Sequence, residues 1–212
     1  MAKTDPAAKS TTQEPLVITI SGEHGSGREA VGALLARYLD MPCTDEPELE
    51  RLVDEGLAAG GNGKTKHDNW LEGMGDWIVE HTTIERPKQR NRLLHLVKVV
   101  VEKADHGGIL IGAGAHLILA NHRVFRLKVE AGNTFCAKAL SEAEGTSLKE
   151  SRREVEETNR ARIEKVREIY QAFPTTSTYY DLVLNAESFS REEMVQLTIL
   201  AMQQTGFLQA QA

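Results

Sequence analysis

The apolar positions of the chain keep two rhythms. "LVITI", residues 16–20, is an unbroken, β-branched run that stops at Ser21 and Gly22, as expected of a strand buried on both faces. Past a glycine-rich stretch the rhythm changes. Val31, Leu34, Leu35 and Leu39 recur at helical spacing until Pro42, which predicts a helix starting at Arg28. "MPCTD" predicts a brief second strand ending at Asp45. "EPELERLVDEGLAA" restarts a helix, with Pro47 in its first turn and glycines at 60, 61 and 63 after it. "GGNGKTKHDN" reads as a loop, and Trp70, Met74, Trp77 and Ile78 share one helical face that is expected to be core. "LLHLVKVVVEKA" is an apolar helix ending before Gly107-Gly108.

Two more strand signals follow, "GILIGAGA" and "RVFRLKVEAGN". Residues 134–172 carry two helical segments divided near Gly145. The second, "SLKESRREVEETNRARIEKVREIY", has charges of both signs three and four apart, which supports an exposed helix. "YYDLVLNA" is the last strand. "SREEMVQLTILAM" is a helix opened by Ser190, with Glu193 at the capping-box position. Strands separated by helices predict an open, parallel α/β sheet that binds ligands at the carboxyl ends of its strands.

At 212 residues and 41% hydrophobic, the chain suffices for one sizeable core, and one domain over residues 16–212 is expected. A formal net charge of -6 argues against a broad surface for a nucleic acid polymer. Cys43 and Cys136 form no metal or disulfide pattern, and the seven histidines are scattered as singles, so no structural metal is expected. Residues 1–15 have neither a signal-peptide core nor transit-peptide amphipathy. They read as a disordered tail, and with no run long enough to cross a bilayer the expected location is the cytoplasm, away from membranes.

The chemistry concentrates in "SGEHGSGREA", residues 21–30. The spacing is that of GxxxxGK[ST], running from Gly22 to Gly27, but Arg28 and Glu29 stand at the polar endpoints. Gly22, Gly25 and Gly27 allow backbone amides to wrap a phosphate, Ser26 lies among them, and the following helix adds its positive end. Arg28 keeps a positive charge, though a planar fork is not a compact ammonium. Glu29, about 4 Å from a phosphate, costs roughly 4 kcal/mol at an effective dielectric near 20 unless it turns outward or binds a metal. The alternative is that the glycines simply make a tight turn.

Four blocks in order, "ITISGEHGSGREAVGALLARYLDMPCTD", "GILIGAGAHLIL", "VEETNRAR" and "YYDLVLNAESFSREEMVQL", resemble the cytidylate kinase-like family, a branch of the P-loop nucleoside monophosphate kinases. The resemblance runs from about residue 16 to 203. It implies a P-loop NTPase three-layer sandwich with a five-stranded parallel sheet. It also implies a helical substrate-binding insertion over about residues 46–106 and a lid over about 134–172. The ligands implied are ATP with Mg2+ and a nucleoside monophosphate, CMP or dCMP.

On that resemblance Gly22, Gly25, Ser26, Gly27 and Arg28 form the phosphate-binding loop, and Glu29 reaches a metal only through Mg2+. Asp45, Asn159 and Arg162 contact the acceptor, while Arg28, Lys138 and Arg162 are the catalytic cations. Asp45 would serve equally as a helix cap. Several positions depart from the family pattern: Gly22 replaces an arginine, Ala113 in "GAGA" stands where the family reads Gly-Arg-Gly-Ala, and Asn159 replaces an aspartate. All thin the charge on which phosphoryl transfer depends. Arg152, Arg153 and Arg160 on the charged helix are candidate substitutes, though a solvated face is the commoner reason for such charges. Two readings follow: a cytidylate-type kinase with a degenerate loop, or a catalytically silent nucleotide binder that reports to a protein partner.

Overall fold

Successive side chains of a strand point to opposite faces of a sheet, and a central parallel strand needs an apolar cover on each. The computed structural model, which describes residues 15–60, 87–170 and 176–209, builds both covers. Its strands are β1 (Val17–Gly22), β2 (Cys43–Thr44), β3 (Gly108–Ile111), β4 (Phe125–Glu130) and β5 (Leu182–Asn185). They form one parallel sheet in the order β2-β3-β1-β4-β5. The helices are α1 (Arg28–Leu39), α2 (Glu46–Ala58), α3 (Pro87–Asp105), α4 (Ala115–Ile118), α5 (Asn133–Glu144), α6 (Leu148–Tyr170) and α7 (Arg191–Gln204). None is long and apolar enough to cross a membrane among the described residues.

On one face Ile18, Ile20, Ile109, Ile111, Phe125, Leu127 and Val129 pack under Val31 and Leu35 of α1 and Met194, Val195, Ile199 and Met202 of α7. This face is apolar from end to end. The other begins in the same way, with Val17 and Leu110 under Leu49 and Val53 of α2 and Leu93, Leu96, Val97 and Val100 of α3. Along the strands toward their carboxyl ends, however, it becomes polar. Thr19, Ser21 and Lys128 occupy positions where the opposite face carries isoleucine and leucine, and Ser21 pairs with Lys128 across β1 and β4. Thr19 and Lys128 are buried. Burying such groups costs free energy unless a partner compensates, so this half-face is where a ligand is sought.

Two stretches differ from the sequence reading. "GILIGAGA" is a strand only as far as Ile111. Gly112, Ala113 and Gly114 all take left-handed φ values of 78°, 52° and 71°, which turn the chain off the sheet into α4. The candidate apolar face with Trp70, Met74, Trp77 and Ile78 lies outside the described residues, as do the 60–69 loop beyond Gly60 and the residues before Pro15.

Candidate functional site

β1 ends at the glycine-rich loop, and the loop turns straight into α1. Ser26 N–H donates to the Glu23 carbonyl at 3.1 Å, and Gly25 and Gly27 are both left-handed at φ 83°. Gly27 sits at the α1 N-cap without a side-chain cap, so the first amides of the helix face outward as an anion-binding end. The Ser26 hydroxyl is buried without a hydrogen-bond partner. At Gly22 a Cβ would stand 2.3 Å from the Val129 carbonyl oxygen. The backbone here therefore leaves no room for the arginine that the resembled family carries at this position.

Arg28 curls back over the loop. Its Nη1 donates to the Gly22 carbonyl at 3.2 Å, its Nε to Glu29 Oε1 at 2.8 Å and its Nη2 to Glu46 Oε2 at 2.9 Å. Only 3% of it is exposed. Burial opposes its charge, but Glu29 and Glu46 more than offset this and raise its pKa. Arg162 Nη2 donates to the same Glu46 Oε2, also at 2.9 Å. Here burial comes first and the nearby Arg28 second, and its pKa is lowered despite Glu46. The two arginines differ because Arg28 hydrogen-bonds two carboxylates whereas Arg162 hydrogen-bonds Glu46 alone among the bonds resolved. A guanidinium does not lose its proton in a protein, so Arg162 is a cation short of anionic partners. Its Nη1 and the Asn159 Nδ2 are buried donors with no acceptor.

These side chains line a cleft of about 130 Å³ at the carboxyl ends of β1, β3 and β4. Its walls include Ser21, Gly22 and Glu23 of the loop, Gly112, Ala113 and Gly114 of the turn after β3, and Asn159, Arg162 and Lys165 of α6. His116, Lys128 and Tyr180 lie alongside. Ser21 Oγ is 3.0 Å from His116 Nδ1, and Tyr180 Oη is 3.2 Å from His116 Nε2. Lys128 pairs with Glu130, with Glu23 3.9 Å away. Four cations, Arg28, Lys128, Arg162 and Lys165, face two carboxylates, Glu23 and Glu46, along the walls. Glu29, Glu130 and Glu50 pair with Arg28, Lys128 and Lys165 from beside the cleft, so Arg162, whose Nη1 has no acceptor, is the least compensated of the four. α6 is tied directly to the loop, since Asn159 Oδ1 accepts the His24 N–H at 2.9 Å and Glu154 pairs with the His24 ring at 3.0 Å.

The residues singled out in the sequence fare differently. Gly22, Arg28, Asn159 and Arg162 converge on the cleft, whereas Gly25, Ser26 and Gly27 of the loop are not among its lining residues. Asp45 does not line it: its carboxylate accepts the Glu48 N–H at 2.9 Å as the N-cap of α2, and the acidic side chain that enters the cleft is its neighbour Glu46. Lys138 stands exposed on α5, 3.9 Å from Glu142, and is not among the cleft residues. Glu29 is half-exposed and turned to Arg28, one of the two courses open to a carboxylate beside a phosphate loop. Arg152 and Arg153 pair with Glu156 and Glu157 four residues on, at 3.1 and 3.9 Å, the solvated-face arrangement.

Glu46, Lys128, His116, Lys165 and Tyr180 escaped the sequence reading. Lys128 had a usable signal, a lysine between leucine and valine in the middle of a strand. Glu46 had none, being one acid in an acidic run.

Comparison with known proteins finds relatives over most of the chain. The cytidylate kinase of Methanopyrus kandleri is 23% identical over 180 residues, 84% of this chain and 88% of that protein. The cytidylate kinase of Pyrobaculum calidifontis is 24% identical over 185 residues, 87% of this chain and 91% of that one. An uncharacterized protein from Eubacterium ventriosum shares the fold, with a TM-score of 0.66 at 15% identity over 89% of this chain and 98% of that structure. The five-stranded parallel sheet with its flanking helices is an α/β fold that this structure shares. The family model for the cytidylate kinase-like family matches residues 17–188, and the chain belongs to that family.

Proposed function

We propose that the protein transfers the terminal phosphoryl group of ATP to a nucleoside monophosphate, CMP or dCMP. The observation that carries this reading is the convergence of Arg28, Lys128, Arg162 and Lys165 on one cleft beside an uncapped glycine loop. The residues present fit a triphosphate: the Ser26 hydroxyl has no partner, and the amides of a left-handed loop and a helix end are natural phosphate ligands. Gly22, Gly25, Ser26, Gly27 and Arg28 would hold it. Mg2+ requires hard oxygen ligands, which the phosphates provide and to which the half-exposed Glu29 carboxylate can add.

ATP-Mg supplies the transferable phosphoryl group, and the chain supplies position and charge. Arg28, already over the loop, would neutralise charge at the donor end. Arg162 and Asn159, with donors to spare, would hold the acceptor phosphate from α6. No general base is needed, because the acceptor phosphate is anionic when it arrives. Asp45 and Lys138 stand outside this arrangement, and a role for either requires a movement of α2 or α5.

A second reading, a nucleotide binder without turnover that works through a protein partner, is favoured by one observation. Arg28 is held by two carboxylates, and catalysis would have to win it back from them. Transfer from labelled ATP-Mg to a panel of nucleoside monophosphates decides between the two. Transfer to CMP or dCMP, lost by several orders of magnitude in Arg28→Ala, is the expected result. Nucleotide binding without transfer to any acceptor selects the silent binder.

A further inference from the structure

Glu46 is the least expected residue in the cleft, a carboxylate where phosphate oxygens would be received. One of its oxygens, Oε2, accepts from Arg28 Nη2 and Arg162 Nη2 at 2.9 Å each, as a phosphate oxygen bridging two guanidinium groups would. The turn after β3 makes room for it. A Cβ on Gly112 would stand 2.7 Å from that same oxygen, and Ala113 beside it carries no long side chain. Yet the carboxylate is an incomplete ligand. Arg162 Nη1 and Asn159 Nδ2, one helical turn apart on α6, remain buried donors without acceptors, a costly condition. A carboxylate has two oxygens for this ring of donors, whereas a phosphomonoester has three and a second negative charge. Glu46 is also the first residue of α2, next to the capping Asp45. Its side chain can leave the cleft by rotating, with the helix and its cap undisturbed.

We propose that Glu46 is an internal stand-in for the acceptor phosphate: it bridges Arg28 and Arg162 until a phosphomonoester dianion displaces it, and so sets the affinity and charge selectivity of the acceptor position. This rests on the reading of the cleft as the acceptor site of a phosphotransferase. Glu46 draws its charge from its neighbours: burial disfavours the carboxylate, but Arg162 and then Arg28 hold its pKa below the usual value. It competes as a full anion at neutral pH. A site filled by its own side chain nine-tenths of the time binds its ligand about tenfold more weakly than the open site.

The test is calorimetric titration of the whole chain and of Glu46→Gln with inorganic phosphate and, separately, with CMP. The proposal expects E46Q to bind phosphate about tenfold more tightly, and expects this gain to vanish in the double variant E46Q/R162A. Unchanged or weaker phosphate binding in E46Q overturns it. CMP separates this idea from the function on which it rests. A phosphate gain with CMP bound no better than phosphate keeps the role of Glu46 and removes the nucleotide acceptor. Tight CMP binding, equal in both proteins, keeps the acceptor and removes the role of Glu46. Should E46Q fail to fold, NMR of the arginine Nε–H groups in the unaltered protein decides. Phosphate must shift the Arg28 and Arg162 signals together, and a shift in neither, or in one alone, overturns the bridge.

Discussion

His116 shows how a single residue can report on the polar half-face. It is 5% exposed, stacked on Tyr180 with ring centroids 4.9 Å apart and hydrogen-bonded to Ser21. Burial, then Arg126 and Lys128, lower its pKa from 6.5 to about 4. The imidazole is therefore neutral in the fold across the physiological range. The unfolded chain takes up the proton near pH 6.5 and the folded chain only near 4, so stability falls as pH drops through that window. The linkage is worth about 3 kcal/mol by pH 4. His116→Gln, which keeps a hydrogen-bonding amide and removes the titration, is expected to flatten this part of the pH-stability curve. Denaturant melts of both proteins at pH 7, 6, 5 and 4 measure it; parallel curves would mean that His116 is not the titrating group. None of this was legible in "GAGAHLIL", where a histidine in an apolar run is as well read as a satisfied core residue. Arg28 and Arg162 were legible because charge at a phosphate loop and in the "VEETNRAR" block has a motif to be read against.

At the scale of elements, the sequence was clearest where structure is decided locally. α7 begins where Ser190 and Glu193 put it: the Ser190 hydroxyl caps the Glu193 N–H, and the Glu193 carboxylate returns to the Ser190 N–H at 2.8 Å. Ser190→Ala removes the cap at a cost of about 1 kcal/mol, which for a domain of this size lowers the melting temperature by roughly 2–4 °C. A thermal melt at neutral pH checks it. A larger loss would mean that the cap also fixes how Met194 and Ile199 seat on the sheet. α4 was illegible for the opposite reason. Its start is set by three left-handed residues, Gly112, Ala113 and Gly114, one of them an alanine that disfavours that conformation, and the apolar run continues through the turn without a break. Asp45 had two local readings, a cap and a ligand. The side chain caps α2, and the acid next to it that lines the cleft is Glu46, one residue on and invisible in an acidic stretch.

For the molecule as a whole, the asymmetry between the two sheet faces decides which ligands should stabilise it. The α1 and α7 face is closed by apolar packing and gains nothing from a ligand. The opposite face ends in a cleft with buried donors on Asn159 and Arg162 lacking partners, the Ser26 hydroxyl in the loop lacks one too, and the folded chain bears that cost alone. A ligand that binds only the folded state adds about 2.7 kcal/mol at a concentration one hundred times its Kd. ATP-Mg and CMP are expected to occupy separate regions, the glycine loop and the Arg162 side of the cleft, so each should raise the melting temperature alone and both together should raise it further. Glu46 ties the regions to each other, because freeing Arg28 for the donor also loosens the carboxylate from Arg162. The combined rise should therefore exceed the sum of the separate ones, with a coupling of about 1–3 kcal/mol. Thermal shift with each nucleotide and with the pair, using a non-hydrolysable ATP analogue, measures it directly. A rise with the analogue and none with CMP would leave the protein a binder of nucleoside triphosphates. Independent rises would mean that Arg28 and Arg162 do not share their carboxylate in solution.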